Sequence, residues 1–307
     1  MRITKIILST ALIVSITLWA TQINCSASGS VYGDVASVLG RDASSTAKNP
    51  ALLPLVESSL INATFAASGL ALEGDSIRSF LVQGIIPLSA KIALGLSGFS
   101  SFNTIDGARG SSELLYAKWK ANAGIGFSVN RHFQLGLSGY FKGQYVNEIY
   151  LLKDNFLENT AALKANVTLG VNYELSKVLN ISFTAGNMVG YFVDKTMIDE
   201  DPGYIRAGVG LHIGKVDFGS TIDFSLFVRK FTYDLAGKIQ LLNKKIRVLA
   251  GVEINNYKDG FVPRIGLGAT LDSFLIDYAF SYPVSGLYSA GIHVVSIGWD
   301  GFGKIND

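Results

Sequence analysis

Residues 164–174 alternate: Ala165, Val167, Leu169, Val171 and Tyr173 share one parity, and Lys164, Asn166, Thr168, Gly170, Asn172 and Glu174 the other. Strand side chains point to opposite faces in turn, so this segment predicts a strand with one apolar and one polar face. The pattern recurs almost to the end of the chain. Phe133, Leu135, Leu137 and Phe141 oppose Gln134, Gly136, Ser138 and Lys142. Ile205, Ala207, Val209, Leu211 and Ile213 oppose Arg206, Gly208, Gly210 and His212. Val216, Phe218, Ile222 and Phe224 oppose Asp217, Gly219, Thr221 and Asp223. Phe231, Tyr233, Leu235 and Ile239 oppose Thr232, Asp234, Lys238 and Gln240. Ile246, Val248, Val252 and Ile254 oppose Arg247, Gly251, Glu253 and Asn255. Ile265, Leu267 and Leu271 oppose Arg264, Gly266, Gly268 and Asp272, and Phe274, Ile276, Tyr278 and Phe280 oppose Asp277 and Ser281.

Strands of soluble proteins average about 5–6 residues. Many segments here sustain the alternation over lengths near the ~9–11 residues of a membrane-crossing strand. A sheet in hydrocarbon must close on itself, because an open edge leaves backbone groups unpaired. The pattern therefore predicts an all-β, antiparallel transmembrane barrel of about 14 strands. Longer polar connections are expected near residues 103–112, 147–160 and 193–203.

Composition agrees with that class. Of 307 residues, 49% are hydrophobic and only 16% charged, with 33 glycines, against about 25% charged in an average soluble domain. The 13 Tyr and 18 Phe suit the aromatic girdles of a membrane barrel. Net charge is +2, with both signs mixed along the chain, which gives no footprint for a nucleic-acid partner.

The first residues differ. Arg2 and Lys5 precede the apolar run Ile6 to Ala20, and Cys25-Ser26-Ala27 offers small residues for cleavage, so 1–27 reads as a secretory signal peptide. Cys25, the single cysteine, would leave with it; Ile23-Asn24 in front of it is a poor fit to a lipid-acceptor site. Residues 28–56 are small and polar, with Val35, Val38 and Leu39 on one face of a short helix that Asp34 would cap. Strand patterns occupy 57–307.

The run Asp42-Ala43-Ser44-Ser45-Thr46-Ala47-Lys48 leads into Asn49-Pro50-Ala51 just before the first strand. Gly186-Asn187-Met188-Val189-Gly190, Arg206-Ala207-Gly208, Gly251-Val252-Glu253, Arg264-Ile265-Gly266 and residues 275–280 follow in order. Together these resemble the FadL-like outer-membrane superfamily, which includes long-chain fatty-acid transporters and PorV/PorQ-type barrels. Leu52 stands where that family usually carries Gly, and eight residues continue beyond Trp299. The resemblance implies a bacterial outer-membrane location and a 14-stranded barrel whose segment 28–56, with Asn49, Pro50 and Ala51, plugs the lumen. It also implies two functions: moving hydrophobic or amphipathic molecules such as a fatty-acid-like ligand, or PorV-type binding of a secreted protein or a secretion-machine component.

Within such a barrel the polar parity lines the lumen. Lys142, Lys164, Arg206, Asp217, Asp223, Asp234, Lys238, Arg247, Glu253, Arg264, Asp272 and Asp277 all fall on it, as they should when a midplane Arg or Lys facing lipid costs about 2–4 kcal/mol. They are expected to pair with one another and with the plug; Arg206, Arg247 and Arg264 are the candidates for binding an anionic head group. Gly136, Gly170, Gly208, Gly210, Gly219, Gly251, Gly266 and Gly268, on the same parity, would leave room for the plug or for bending of the barrel. His132, His212 and His293 lack metal-ligand spacing. Without a G-x-S-x-G elbow or a phosphate loop, nothing points to an enzyme or a cofactor.

Overall fold

The computed structural model describes residues 27–40, 42, 44–68, 78–106, 112–146, 162–192, 203–226, 230–256, 260–282, 284 and 291–302. Residues 1–26 of the leader, Cys25 included, the long connections near 147–161 and 193–202, and the side chain of Lys164 lie outside them. Fourteen strands follow in order: β1 (Ser59–Ser68), β2 (Arg78–Ser89), β3 (Ile92–Asp106), β4 (Ser112–Ser128), β5 (Phe133–Val146), β6 (Ala162–Glu174) and β7 (Leu179–Phe192). Next come β8 (Tyr204–Ile213), β9 (Val216–Ser225), β10 (Phe231–Leu241), β11 (Ile246–Asn255), β12 (Phe261–Leu271), β13 (Phe274–Ser281) and β14 (Ile292–Phe302). Each strand pairs with its sequence neighbours, and β1 pairs antiparallel with β14, which closes the barrel. No helix among the described residues is long and apolar enough to cross a membrane; the strands do it.

The parity follows the sequence reading. On β6, Val167 and Leu169 are exposed while Asn166, Thr168 and Asn172 are buried; on β9, Phe218, Ile222 and Phe224 are exposed while Thr221 is buried. The apolar outer wall of such a barrel is stable only in lipid. Two details differ. Asp272 is not lumenal: it occupies the exposed two-residue turn between β12 and β13 with φ 54°, because the parity of a strand ends where its ladder does. Asn103 to Asp106, expected in a connection, extend β3.

Short turns at 90–91, 129–132, 175–178, 214–215, 242–245 and 272–273 gather at one end of the barrel, and longer connections at the other. Ser59 pairs with Phe302 at the short-turn end, so the segment before β1 enters there. That segment folds as α1 (Ala27–Tyr32), a 3-10 turn (Gly33–Val35), α2 (Ala36–Leu39), α3 (Ser45–Lys48) and a second 3-10 turn (Pro50–Leu55). It lies inside the lumen, with Val31, Val35, Ala36, Ala51 and Leu53 fully buried. Helix begins before Asp34, which caps nothing; its carboxylate is drawn instead to Lys48 and Arg206.

Candidate functional site

Asn49 joins the two halves of the plug. Its extended backbone (φ −155°, ψ 100°) ends α3, as the residue before a proline favours. Its side-chain Oδ1 accepts from the Ala51 N–H at 3.1 Å and so caps the next turn, with Pro50 in the first position. Nδ2 donates to the Ser37 carbonyl at 2.9 Å and to the Val171 carbonyl of β6 at 3.4 Å. One amide thus ties the motif to the first half of the plug and to the wall.

The wall is shaped to receive it. Gly126, Gly136 and Gly170 stand side by side on β4, β5 and β6. A Cβ on Gly136 would collide with the Pro50–Ala51 backbone, one on Gly170 with Asn49 Oδ1, and one on Gly126 would lie 2.5 Å from Pro54 Cδ. Glycines also underlie α1 and α2. A Cβ on Gly266 would meet Val31 Cγ2 at 2.7 Å, one on Gly219 would meet Val35 Cγ1 at 2.7 Å, and Gly208, Gly210 and Gly251 lie against Val38, Leu39 and the Val31 carbonyl. Gly268 is different: its space holds the Asp277 carboxylate and the Arg247 guanidinium.

The charged residues divide into two tiers. In the tier toward the long connections, Asp34 of the plug binds Lys48 Nζ and Arg206 Nη2, each at 2.8 Å, and Arg206 also reaches Asp223 at 2.5 Å. Arg264 pairs with Asp234 at 2.8 Å and with Glu253. Gly33, at φ 56°, passes beneath this second group; a Cβ there would collide with Arg264 Nη1. The other tier lies near the short turns, where Arg247 binds Asp277 at 2.9 Å and Thr270 Oγ1 at 2.8 Å, and Asp217 binds His212 at 2.9 Å and Lys238 at 2.7 Å. Arg206, Arg247 and Arg264 therefore do not form one cluster. Arg264 pairs across the ladder with Gly251 and Arg247 with Gly268, four steps or about 13 Å along the strands. Burial alone would raise the Asp34 carboxyl, but Arg206 and Lys48 beside it hold it well below the usual carboxylate range.

The opposite wall carries an apolar patch among polar side chains such as Asn62, Thr64 and Gln83. Ala66 on β1, Leu81 on β2, Phe99 on β3, Ala279 on β13 and Ile292 and Val294 on β14 are buried in one cluster with Val31, Tyr32, Val35 and Ala36 of the plug. Phe99 borders a cationic strip: it lies across from Lys120 on β4, and Lys120 across from Lys142 on β5. Lys120 stands over the Tyr140 ring at 4.0 Å. Neither this lane nor the role of Asp34 was identified from sequence. The signal for the lane was a break in pattern on β3, where Phe99 falls on the lumen parity and Gly98 and Ser100 face outward.

No protein-family model and no curated protein sequence matches the chain. The barrel superposes on several solved structures. A FadL homologue of Pseudomonas aeruginosa matches with TM-score 0.61 and 12% identity, covering 90% of this chain and 98% of that one. The CymD monoaromatic hydrocarbon channel gives 0.63 and 12%, covering 91% and 98%. The toluene transporter TodX of P. putida gives 0.61 and 10%, covering 91% and 99%. At such identities the likeness is one of fold: a closed barrel like those of the FadL-type channels.

Proposed function

We propose that the protein moves hydrophobic or amphipathic small molecules through its barrel, with displacement of the N-terminal plug as the gating step. The observation that carries this reading is the apolar contact of Leu81, Phe99, Ile292 and Val294 on the wall with Val31, Tyr32, Val35 and Ala36 of the plug, a surface that displacement of the plug would open as an apolar lane. An apolar solute entering that lane exchanges water for apolar side chains. The strip beside Phe99, with Lys120 and Lys142 in ladder register, suits an amphiphile whose polar end is anionic. Among the three arginines, Arg206 keeps Nε and Nη1 buried with no acceptor among the described residues, so a head group arriving there would compete with Asp34 for it. Support comes also from the folds above, which include a toluene transporter and a monoaromatic hydrocarbon channel. No feature of the described residues favours a secreted-protein partner.

The test is uptake into cells with and without the protein, using radiolabelled toluene and a radiolabelled long-chain fatty acid. Uptake of either solute should rise with expression and fall when Leu81 and Phe99 are replaced by Asn. Uptake that ignores both expression and the lane substitutions for both solutes would sink the proposal.

A further inference from the structure

The short-turn end of the barrel carries a charge pattern that transport does not explain. Five of its six turns hold a cation: Lys91, Arg131, Lys177, Lys215, and the pair Lys244 and Lys245. All six side chains are exposed, and among the described residues none of them enters an ion pair. Neighbouring turns are two strands apart, about 10 Å, close to one Debye length at physiological salt, so their potentials add into a continuous arc from β2 to β11. Among the described residues the acids of this rim sit mostly elsewhere: Glu57, Asp272 and Asp300 lie at the β12–β14–β1 seam, while Glu174 and Asp217 fall within the arc, Asp217 already paired with His212 and Lys238.

The same turns expose apolar side chains. Val129, Leu175, Val178 and Leu242 project at the level of the cations, Leu242 with 68% of its surface exposed. A soluble acidic partner would leave that mixture half wet. The boundary of a lipid leaflet satisfies both parts at once, with apolar side chains at the acyl edge and lysines reaching up to the phosphates. Short turns face the periplasm in outer-membrane barrels. We propose that this arc is a binding surface for anionic glycerophospholipids of the periplasmic leaflet, which fixes the depth and tilt of the barrel.

Native mass spectrometry of the full-length mature protein tests it, after equilibration with equal amounts of phosphatidylglycerol and phosphatidylcholine. The wild type should retain phosphatidylglycerol over phosphatidylcholine by about fivefold or more, the factor for one cation at an anionic surface. That preference should collapse toward unity in 0.5 M salt, about 4 Å of Debye length, and in the variant K91Q/R131Q/K177Q/K215Q/K244Q/K245Q. Heat-dependent gel mobility confirms that the variant is folded; if it is not, K215Q/K244Q/K245Q should lose part of the preference. Equal retention of the two lipids by the wild type would overturn the proposal, as would a preference that survives the substitutions. So would stronger retention of lipid A than of phosphatidylglycerol through these six residues, which would place the arc on the other leaflet.

Discussion

The two walls of the lumen hold one plug by opposite means. On β8–β12 the plug meets backbone at Gly210, Gly219 and Gly251 and is clasped by Asp34 to Arg206, with the Arg264 group packed against Gly33. On β13, β14 and β1–β3 it meets Ala279, Ile292, Val294, Ala66, Leu81 and Phe99, with the Ala27 N–H donating to Ser296 Oγ at 2.6 Å. Ion pairs and glycine seats are directional: they fit one position and lose most of their energy within an ångström or two. Apolar contact is non-directional and tolerates sliding. A plug built this way has a charged, directional side and a more apolar side, and in the proposed function solute would pass on the apolar side.

The contrast is most severely tested at Arg264. Replacing it with Met leaves Asp234 and Glu253, direct partners across β10 and β11, as adjacent buried carboxylates. The expected loss is about 3–5 kcal/mol, read from urea unfolding in lipid vesicles. Adding D234N and E253Q to the same variant should restore most of it. If R264M alone is as stable as the triple variant, the charged wall is not acting as a paired unit.

On the apolar wall, Phe99→Ala should cost less, about 2–3 kcal/mol, since the space borders a lane that can readjust. It should widen solute uptake toward bulkier molecules, an effect that no substitution on β10–β12 should share. At the seat itself, Gly170→Ala pushes a methyl group into Asn49 Oδ1. A cost of about 1–3 kcal/mol is expected, seen as faster proteolysis of the plug while heat-dependent mobility of the barrel is unchanged. Asn49→Ala removes the cap and two further hydrogen bonds and should loosen the plug by about 1–2 kcal/mol.

The smallest effect is in pH. Asp34 is held below its ordinary value of 3.8 by Arg206 and Lys48 against the opposing effect of burial. A carboxylate lowered on folding stabilises fully above its unfolded pKa and loses that contribution as pH falls through the folded one. Protease resistance of the plug should therefore hold from neutral pH down to about 3.8 and decay below it, as pH falls toward the lowered folded pKa. Asp34→Asn should be weaker at neutral pH and flat across the same range.

Much of this was legible in the chain. The period-two alternation of residues 164–174, repeated on β8 to β13, required a two-faced sheet, and the lengths required a membrane. The glycines on the lumen parity sit where the plug comes closest, except Gly268, whose space an ion pair fills. Parity misled at Asp272, because a turn residue has no face. The capping pattern misled at Asp34, because a local cap and a distant guanidinium compete for one carboxylate and only the fold brings Arg206 near.

Period, length and composition together determined the wall, since each depends only on neighbouring residues and the solvent they meet. Only the tertiary structure decided the partners across the lumen: Asp34 with Arg206, Asn49 with Gly170, and the gathering of Ala66, Leu81, Phe99, Ile292 and Val294 into one lane. Those contacts join residues far apart in the chain, the plug to β6 and β8, and strands on either side of the closure between β1 and β14. Their distances are set by strand number, register and curvature, which no local pattern encodes.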